Sequence, residues 1–463
     1  GNGRPESGGA GRRNSLDGSE KPVLPSTPAE IRPLADGPIG KTEDRPQQLS
    51  GENPGNFVIT DDFKLGQGTD GDKISGNLNA IRTLREIQKE NRYPTKAEQA
   101  TMARYVGWGG LKTVFDPKKA DATDQYGKAQ RELKALLSPD EYRAANGSIR
   151  NAHYTAEGIV DGMWRVMRFM GFKGGRALEP TVGIGNFVGR MPADMAASTE
   201  WHASELDTTT GQLAAMLYPE ANILASTGFQ DAPFADGAFD ISVGNPPFGA
   251  QTILDKSPNR KHLNGQKIHN YIIAKAGMHL RPGGVMSMVV THRFLDTANP
   301  EARDVLAKDF RFLGAFRLPN DAFKKNAGTD VVTDVVFLQK LGAEEKRERD
   351  SSWLDVNGSI TVDGQAIRVN RYYQDNPAHI LGRSAMDGSM QRTGEAEYTV
   401  HSDGRDIGKS IDELMQTGFQ HMAGVLDQSN SSKALAPAML TQSDLPIGGV
   451  MVNDEGKIIR REL

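Results

Sequence analysis

Cysteine is absent from this chain of 463 residues. That excludes disulfides, thiolate nucleophiles and every cysteine-ligated zinc site, and it accords with a reducing compartment. No apolar run approaches the roughly 18 residues that span a bilayer, and no charged-then-apolar leader opens the chain. Nine histidines are present, yet no HExxH or other paired-ligand spacing occurs, so no metal is expected. Neither sign of charge dominates: 55 Lys and Arg face 59 Asp and Glu, a formal charge of −4. The bulk electrostatic case for a polyanion partner is therefore missing, and any nucleic-acid surface has to be a local patch. The expectation is a soluble, cytoplasmic protein of two or three domains with no membrane partner. The chain opens on Gly rather than Met, so a partial chain is also expected.

Four blocks differ in texture. Residues 1–56 hold ten Gly and eight Pro, with no aromatic before Phe57. They bury too little apolar surface to offset their ordering entropy, and a disordered tail is expected. Residues 57–150 read as helical. Leu78, Ile81, Leu84 and Ile87 form one stripe, Thr95 caps a second helix, and Ser138-Pro139-Asp140-Glu141 is a capping signature. Residues 151–340 alternate short apolar strands with helices, which argues for a doubly wound, Rossmann-like α/β domain with a mainly parallel sheet. Residues 341–463 read as a smaller C-terminal region, with a helix expected over 411–426 and a turn at 453–456 between two strands.

In a doubly wound sheet, ligands bind beyond the carboxyl ends of the strands. Four candidate motifs follow strands. The first is Glu179-Pro180-Thr181-Val182-Gly183-Ile184-Gly185-Asn186-Phe187. Gly183 and Gly185 let the backbone turn sharply and approach a ligand. A dinucleotide fingerprint would require glycine at 188, where Val188 stands. With Glu179 beside the turn, a cationic ligand without phosphate fits better, and S-adenosylmethionine answers that description. The second motif places Glu205 where an acid accepts hydrogen bonds from ribose hydroxyls, with Asp207 as a helix cap. The third is Thr227-Gly228-Phe229-Gln230-Asp231, where Phe229 suits either an adenine face or a core. The fourth is Asn245-Pro246-Pro247-Phe248, after the apolar run 239–244. Two prolines cannot continue a central strand; they fix the chain and leave carbonyls free. The Asn245 oxygen and a proline carbonyl can then accept from one NH2 group, while Phe248 stacks on the planar group that bears it. Upstream, Tyr154-Thr155 precedes a helix, with Thr155 as its expected cap. Downstream, the loop 255–267 carries Lys256, Arg260, Lys261 and Lys267 against Asp255 alone, a local patch for a phosphate backbone.

Read in order, these segments resemble the N6-adenine DNA methyltransferases, in the arrangement of the gamma class with its Asn-Pro-Pro-Phe tetrapeptide. Tyr105-Val106-Gly107-Trp108-Gly109-Gly110 and Thr329-Asp330-Val331-Val332-Thr333-Asp334 resemble a branch found in phages and mobile elements, often fused to helicases. The resemblance covers about 105–340. It implies methyl transfer from S-adenosylmethionine to the exocyclic N6 of a flipped adenine in DNA, in a bacterial or phage-infected cell. Asn245, Pro246, Pro247 and Phe248 would hold the target base. Tyr154, Thr155, Glu179, Thr181, Gly183, Gly185, Asn186, Phe187, Glu205, Phe229 and Asn245 would line the cofactor pocket. A homodimer on a palindromic site is compatible with it. The alternatives are a methyltransferase acting on a protein glutamine or an RNA base, and an inactive, DNA-binding antirestriction protein.

Overall fold

Seven apolar runs become the strands of one sheet: β1 (Gly175–Glu179), β2 (Thr199–Glu205), β3 (Asn222–Ala225), β4 (Phe239–Gly244), β5 (Leu280–Thr291), β6 (Phe310–Leu318) and β7 (Thr333–Lys340). The computed structural model describes residues 49–149, 155–249, 251–255, 258–323, 331–345, 349–388, 397–427, 438–440, 450–452 and 458–460. The strand order is β3-β2-β1-β4-β5-β7-β6. The pairs among β1 to β5 are parallel, and β7 runs antiparallel to both β5 and β6. That order, with a single reversed strand, is the Rossmann-like methyltransferase sheet, and it bears out the expected doubly wound α/β class.

Side chains alternate across the sheet, as the period of two requires. Ala177, Ile241, Val243, Val285, Val289, Val335 and Phe337 face one core. Leu178, Met286, Met288, Val290, Val336 and Leu338 face the other, and Phe239 joins them across a register shift before Ile241. Into the first core pack α1 (Asp70–Glu90), α2 (Lys96–Met102), α3 (Gln125–Leu136), α4 (Pro139–Ser148) and α5 (Glu157–Phe169). The short α6 (Asn186–Gly189) and α7 (Ala193–Ala196) link β1 to β2, and α8 (Thr208–Leu217) links β2 to β3. The second core takes α9 (Ile268–His279), between β4 and β5.

The cap signals hold where the side chain is a true N-cap. Thr95 with Glu98, and Ser138 with Glu141, both close capping boxes. Thr155 does not cap α5: the N-cap falls on Ala156, which makes no side-chain cap bond. Thr155 is buried instead, and its carbonyl accepts from Asn186 Nδ2 at 3.4 Å.

The helical block and the sheet share a core, and the described residues belong to one compact unit. The boundaries at 150 and 340 are changes of texture across which packing continues. Of the expected tail, 1–48 lies outside the described residues; residues 49–56 lie on the body, with Ser50 N bonded to Asn91 O and Gly55 O accepting from Gln99 Nε2. The C-terminal helix runs over Ile407–Thr417 rather than 411–426, and packs on α5. Beyond it residues 424–427 meet the end of α5 and the start of β5. Arg281 Nη2 donates to Asp427 O at 2.6 Å, and Arg281 Nε donates to Asp240 inside β4 at 2.7 Å. Strands 450–452 and 458–460 pair antiparallel, and the expected turn between them lies outside the described residues. Among the described residues no helix is long and apolar enough to cross a membrane.

Candidate active site

The carboxyl ends of β1, β2 and β4 meet at one cavity of about 440 Å³. Three side-chain or backbone ties set their relative height. Ser242 Oγ donates to Leu178 O, Ser204 Oγ donates to Pro180 O, and Val182 N donates to Ser204 O. A methyl group at Gly244 would sit in ordinary contact with Pro180 and Glu179. The last residue before the Asn-Pro-Pro-Phe segment therefore lies directly beside the first acid.

The glycine turn after β1 has the conformation its residues demand. Gly183 and Gly185 take φ of +55° and +83°. At Gly185 a Cβ would stand 2.3 Å from the Tyr218 ring, so a side chain is excluded twice over. The third glycine missing at 188 has a counterpart one residue later. A Cβ at Gly189 would collide with Ile59 and the Tyr218 hydroxyl, so close packing of this turn uses 189.

The electrostatics of the wall are one-sided. Glu179, Glu205 and Asp207 line it, and no Lys or Arg does so among the described residues. Glu179 is 3% exposed, and its Oε2 has no hydrogen-bond partner among the described residues. Burial, reinforced by Glu205, pushes its carboxyl well above the ordinary value. Glu205 accepts from Gly183 N and Asp207 N, both at 2.9 Å. Burial outweighs those bonds and pushes its carboxyl up to about 7. Asn186 Oδ1 and Asp207 Oδ2 are also buried without a partner among the described residues. Such a wall repels phosphate and offers buried acceptors to a ligand bearing cationic and hydroxyl donors. The residues present therefore fit S-adenosylmethionine, with its sulfonium, amino group and ribose, better than a pyrophosphate cofactor.

Of the residues expected at the site, Thr155, Glu179, Thr181, Gly183, Asn186, Phe187, Glu205, Asn245 and Pro247 stand together on the cavity wall. Gly185 lies behind the turn, against Tyr218. Pro246 is buried off the wall. Phe248 is half-buried on the first core, edge-on to His269 at 6.5 Å. Phe229 lies 3% exposed in the second core, among Phe234, His279 and Lys275, and does not reach the cavity. Arg260 is buried and its guanidinium pairs with Asp236, whereas Lys267 is exposed at the start of α9. Tyr154, Lys256 and the side chain of Lys261 lie outside the described residues, as do Thr329 and Asp330.

Sequence reasoning missed the wall's other side. Tyr105 and Gly107, and Ala144, Gly147 and Ser148 at the end of α4, come from the helical block. Gln251 of the loop that follows Asn245, and Ile268 at the start of α9, also line the cavity. The run around Tyr105 was visible as a motif, but nothing local tied it to β2.

The fold is that of a methyltransferase-like α/β protein, and part of the chain is similar to methylases of restriction-modification systems. Residues 196–323 match the family model described as Eco57I restriction-modification methylase. The chain is 32% identical over 276 residues to Defense against restriction protein B of Escherichia phage P1. That match takes in 59% of this chain and only 12% of the length of the curated relative. The methyltransferase subunit of the type I restriction-modification system from Streptococcus thermophilus is 20% identical, with 58% of this chain and 66% of that one covered, at a TM-score of 0.36. TrmN from Thermus thermophilus is 16% identical, with 39% and 48% covered, at a TM-score of 0.28.

Proposed function

We propose that this chain transfers a methyl group from S-adenosylmethionine to the exocyclic N6 of an adenine in DNA. One observation carries the reading: a single cavity is lined both by the Glu179 to Phe187 turn and by Asn245 and Pro247. The matched methylase segment ends at 323 and contains the whole elbow, which supports the choice of nucleic acid over protein.

Glu179 and Glu205 would hold the cationic and ribose parts of the cofactor, which when bound supplies the electrophilic methyl group. The remaining work belongs to the elbow. The target amine lies out of reach within a duplex, so the base leaves the stack and enters the cavity mouth. The Asn245 side-chain oxygen and a carbonyl of the Pro246-Pro247 pair, of which Pro247 lines the wall, accept its two N–H bonds. This draws the nitrogen lone pair out of conjugation with the purine ring. Phe248, held by the first core and by His269, gives the ring a face to stack on. Burial keeps His269 neutral, its pKa lowered to about 4. Catalysis is positioning and hydrogen bonding, with no general base needed before transfer. Lys267 is an exposed cation at the same loop for a backbone phosphate.

Asn245→Ala is expected to abolish methylation of duplex DNA while leaving S-adenosylmethionine affinity within a few fold of wild type. Labelled cofactor assayed with DNA, RNA and protein substrates reads the first quantity, and calorimetry reads the second. Methylated adenine persisting in that variant would refute the assignment. The phage relative is named for defense against restriction, and this favours a second reading in which the chain protects DNA without turnover. Protection that survives Asn245→Ala would support that reading.

A further inference from the structure

The loop after α2 reaches the cavity from outside the sheet, and it is built to do so. Asn77 of α1 is fully buried. Its Oδ1 accepts from Val106 N at 2.8 Å, and its Nδ2 donates to Gly107 O at 2.6 Å. Gly107 takes φ of +69°, which a side chain would strain. Trp108, also buried, stands edge-on to Tyr105 at 6.5 Å and to Phe115 at 5.5 Å. A loop tied to Asn77 by two hydrogen bonds and to Phe115 through Trp108 presents Tyr105 to the cavity at 3% exposure.

Opposite lies the end of β2. Tyr105 and Thr210 face the same cavity, and burial together with Asp207 keeps the Tyr105 phenol protonated. Asp207 Oδ1 caps α8 by accepting from Thr210 N at 2.7 Å. Its Oδ2 remains buried, without a partner among the described residues, on the wall beside Glu205. The cap therefore uses one carboxylate oxygen and leaves the other for something in the cavity. A phenol can donate one hydrogen bond and accept others, and a carboxylate oxygen can only accept. Sugar hydroxyls satisfy both.

We propose that Tyr105 and Asp207 form a nucleoside clamp, through which the N-terminal helical block determines affinity for the adenosine end of the cofactor. The clamp rests on the cofactor reading given above. It makes the helical block part of the binding site rather than an accessory to it.

The test uses the full chain and two probes: S-adenosylhomocysteine, and 5′-methylthioadenosine, which lacks the amino-acid end. Tyr105→Phe and Asp207→Asn each keep the shape, and Asn still caps α8. Each variant is expected to weaken both probes by about 5- to 10-fold, the loss of roughly one hydrogen bond. The thermal midpoint without ligand should stay that of wild type. In steady state the cofactor KM should rise while kcat at saturation holds. Wild-type protein that binds neither probe would overturn the cofactor reading and the clamp together. Wild-type binding with both variants within twofold would overturn the clamp alone. So would a loss confined to Asp207→Asn, or a lowered thermal midpoint in Tyr105→Phe with unchanged affinity.

Discussion

Two groups of buried acids on the same sheet are treated in opposite ways. At one edge Asp334 of β7 is fully buried and lies on the Arg317 guanidinium of β6 through two bonds of 2.7 and 2.9 Å. Asp296 adds a third contact to that guanidinium at 2.7 Å. Against the pull of burial, Asp296 and Asp334 hold Arg317 charged. At the ends of β1 and β2, no Lys or Arg among the described residues lines the cavity beside Glu179 and Glu205. Glu179 keeps an oxygen with no partner among the described residues. A paired buried charge is part of the scaffold; an unpaired acid in such a place is kept ionised only at a cost, which protonation or a cationic ligand offsets.

The contrast is most sharply tested by removing one acid from each group. Asp334→Ala leaves the buried guanidinium with Asp296 as its one remaining acid and is expected to cost about 3 kcal/mol, read as a lower denaturant midpoint. Glu179→Gln should do the reverse: a stability equal to or above wild type, with affinity for S-adenosylmethionine reduced by at least about tenfold. If Glu179→Gln instead unfolded the protein, the two acids would be playing the same structural part.

A finer test uses pH. The Glu205 carboxyl sits at about 7 in the folded chain against an ordinary 4.5. Between those values the folded state binds more protons than the unfolded one, so this group lowers stability as pH rises through the window. Ligand binding runs the other way, because a cationic ligand favours the ionised acid and affinity should climb toward pH 7. Glu205→Gln is expected to flatten both profiles in part, leaving the slope due to Glu179, whose shift has the same direction. Thermal melts and calorimetry at pH 5, 6 and 7.5 measure this.

Much of the architecture was legible because the signals were local. The runs 239–244 and 333–340 are apolar enough to be strands of a buried sheet, and residues just after β1, β2 and β4 are brought to one cavity. The cavity's far wall was not legible, because Tyr105 meets Thr210 only after α1 and α2 have packed on α8. Periodicity carries no record of that meeting. Phe229 follows a strand as a cofactor residue would, yet its ring completes the second core, and no local feature separates those two uses. Thr155 carried a cap signal that Ala156 took over, since one residue of slip at a helix start changes no apolar pattern.

Arg281 reaches in two directions at once, upward to Asp240 within β4 and outward to the carbonyl of Asp427. A shortened protein ending near 340 would take away the Asp427 contact and leave that arginine its bonds to Asp240 and the Pro282 carbonyl, beside the strand that delivers Asn245. Anyone trimming the gene to a minimal catalytic fragment should cut after 427 instead.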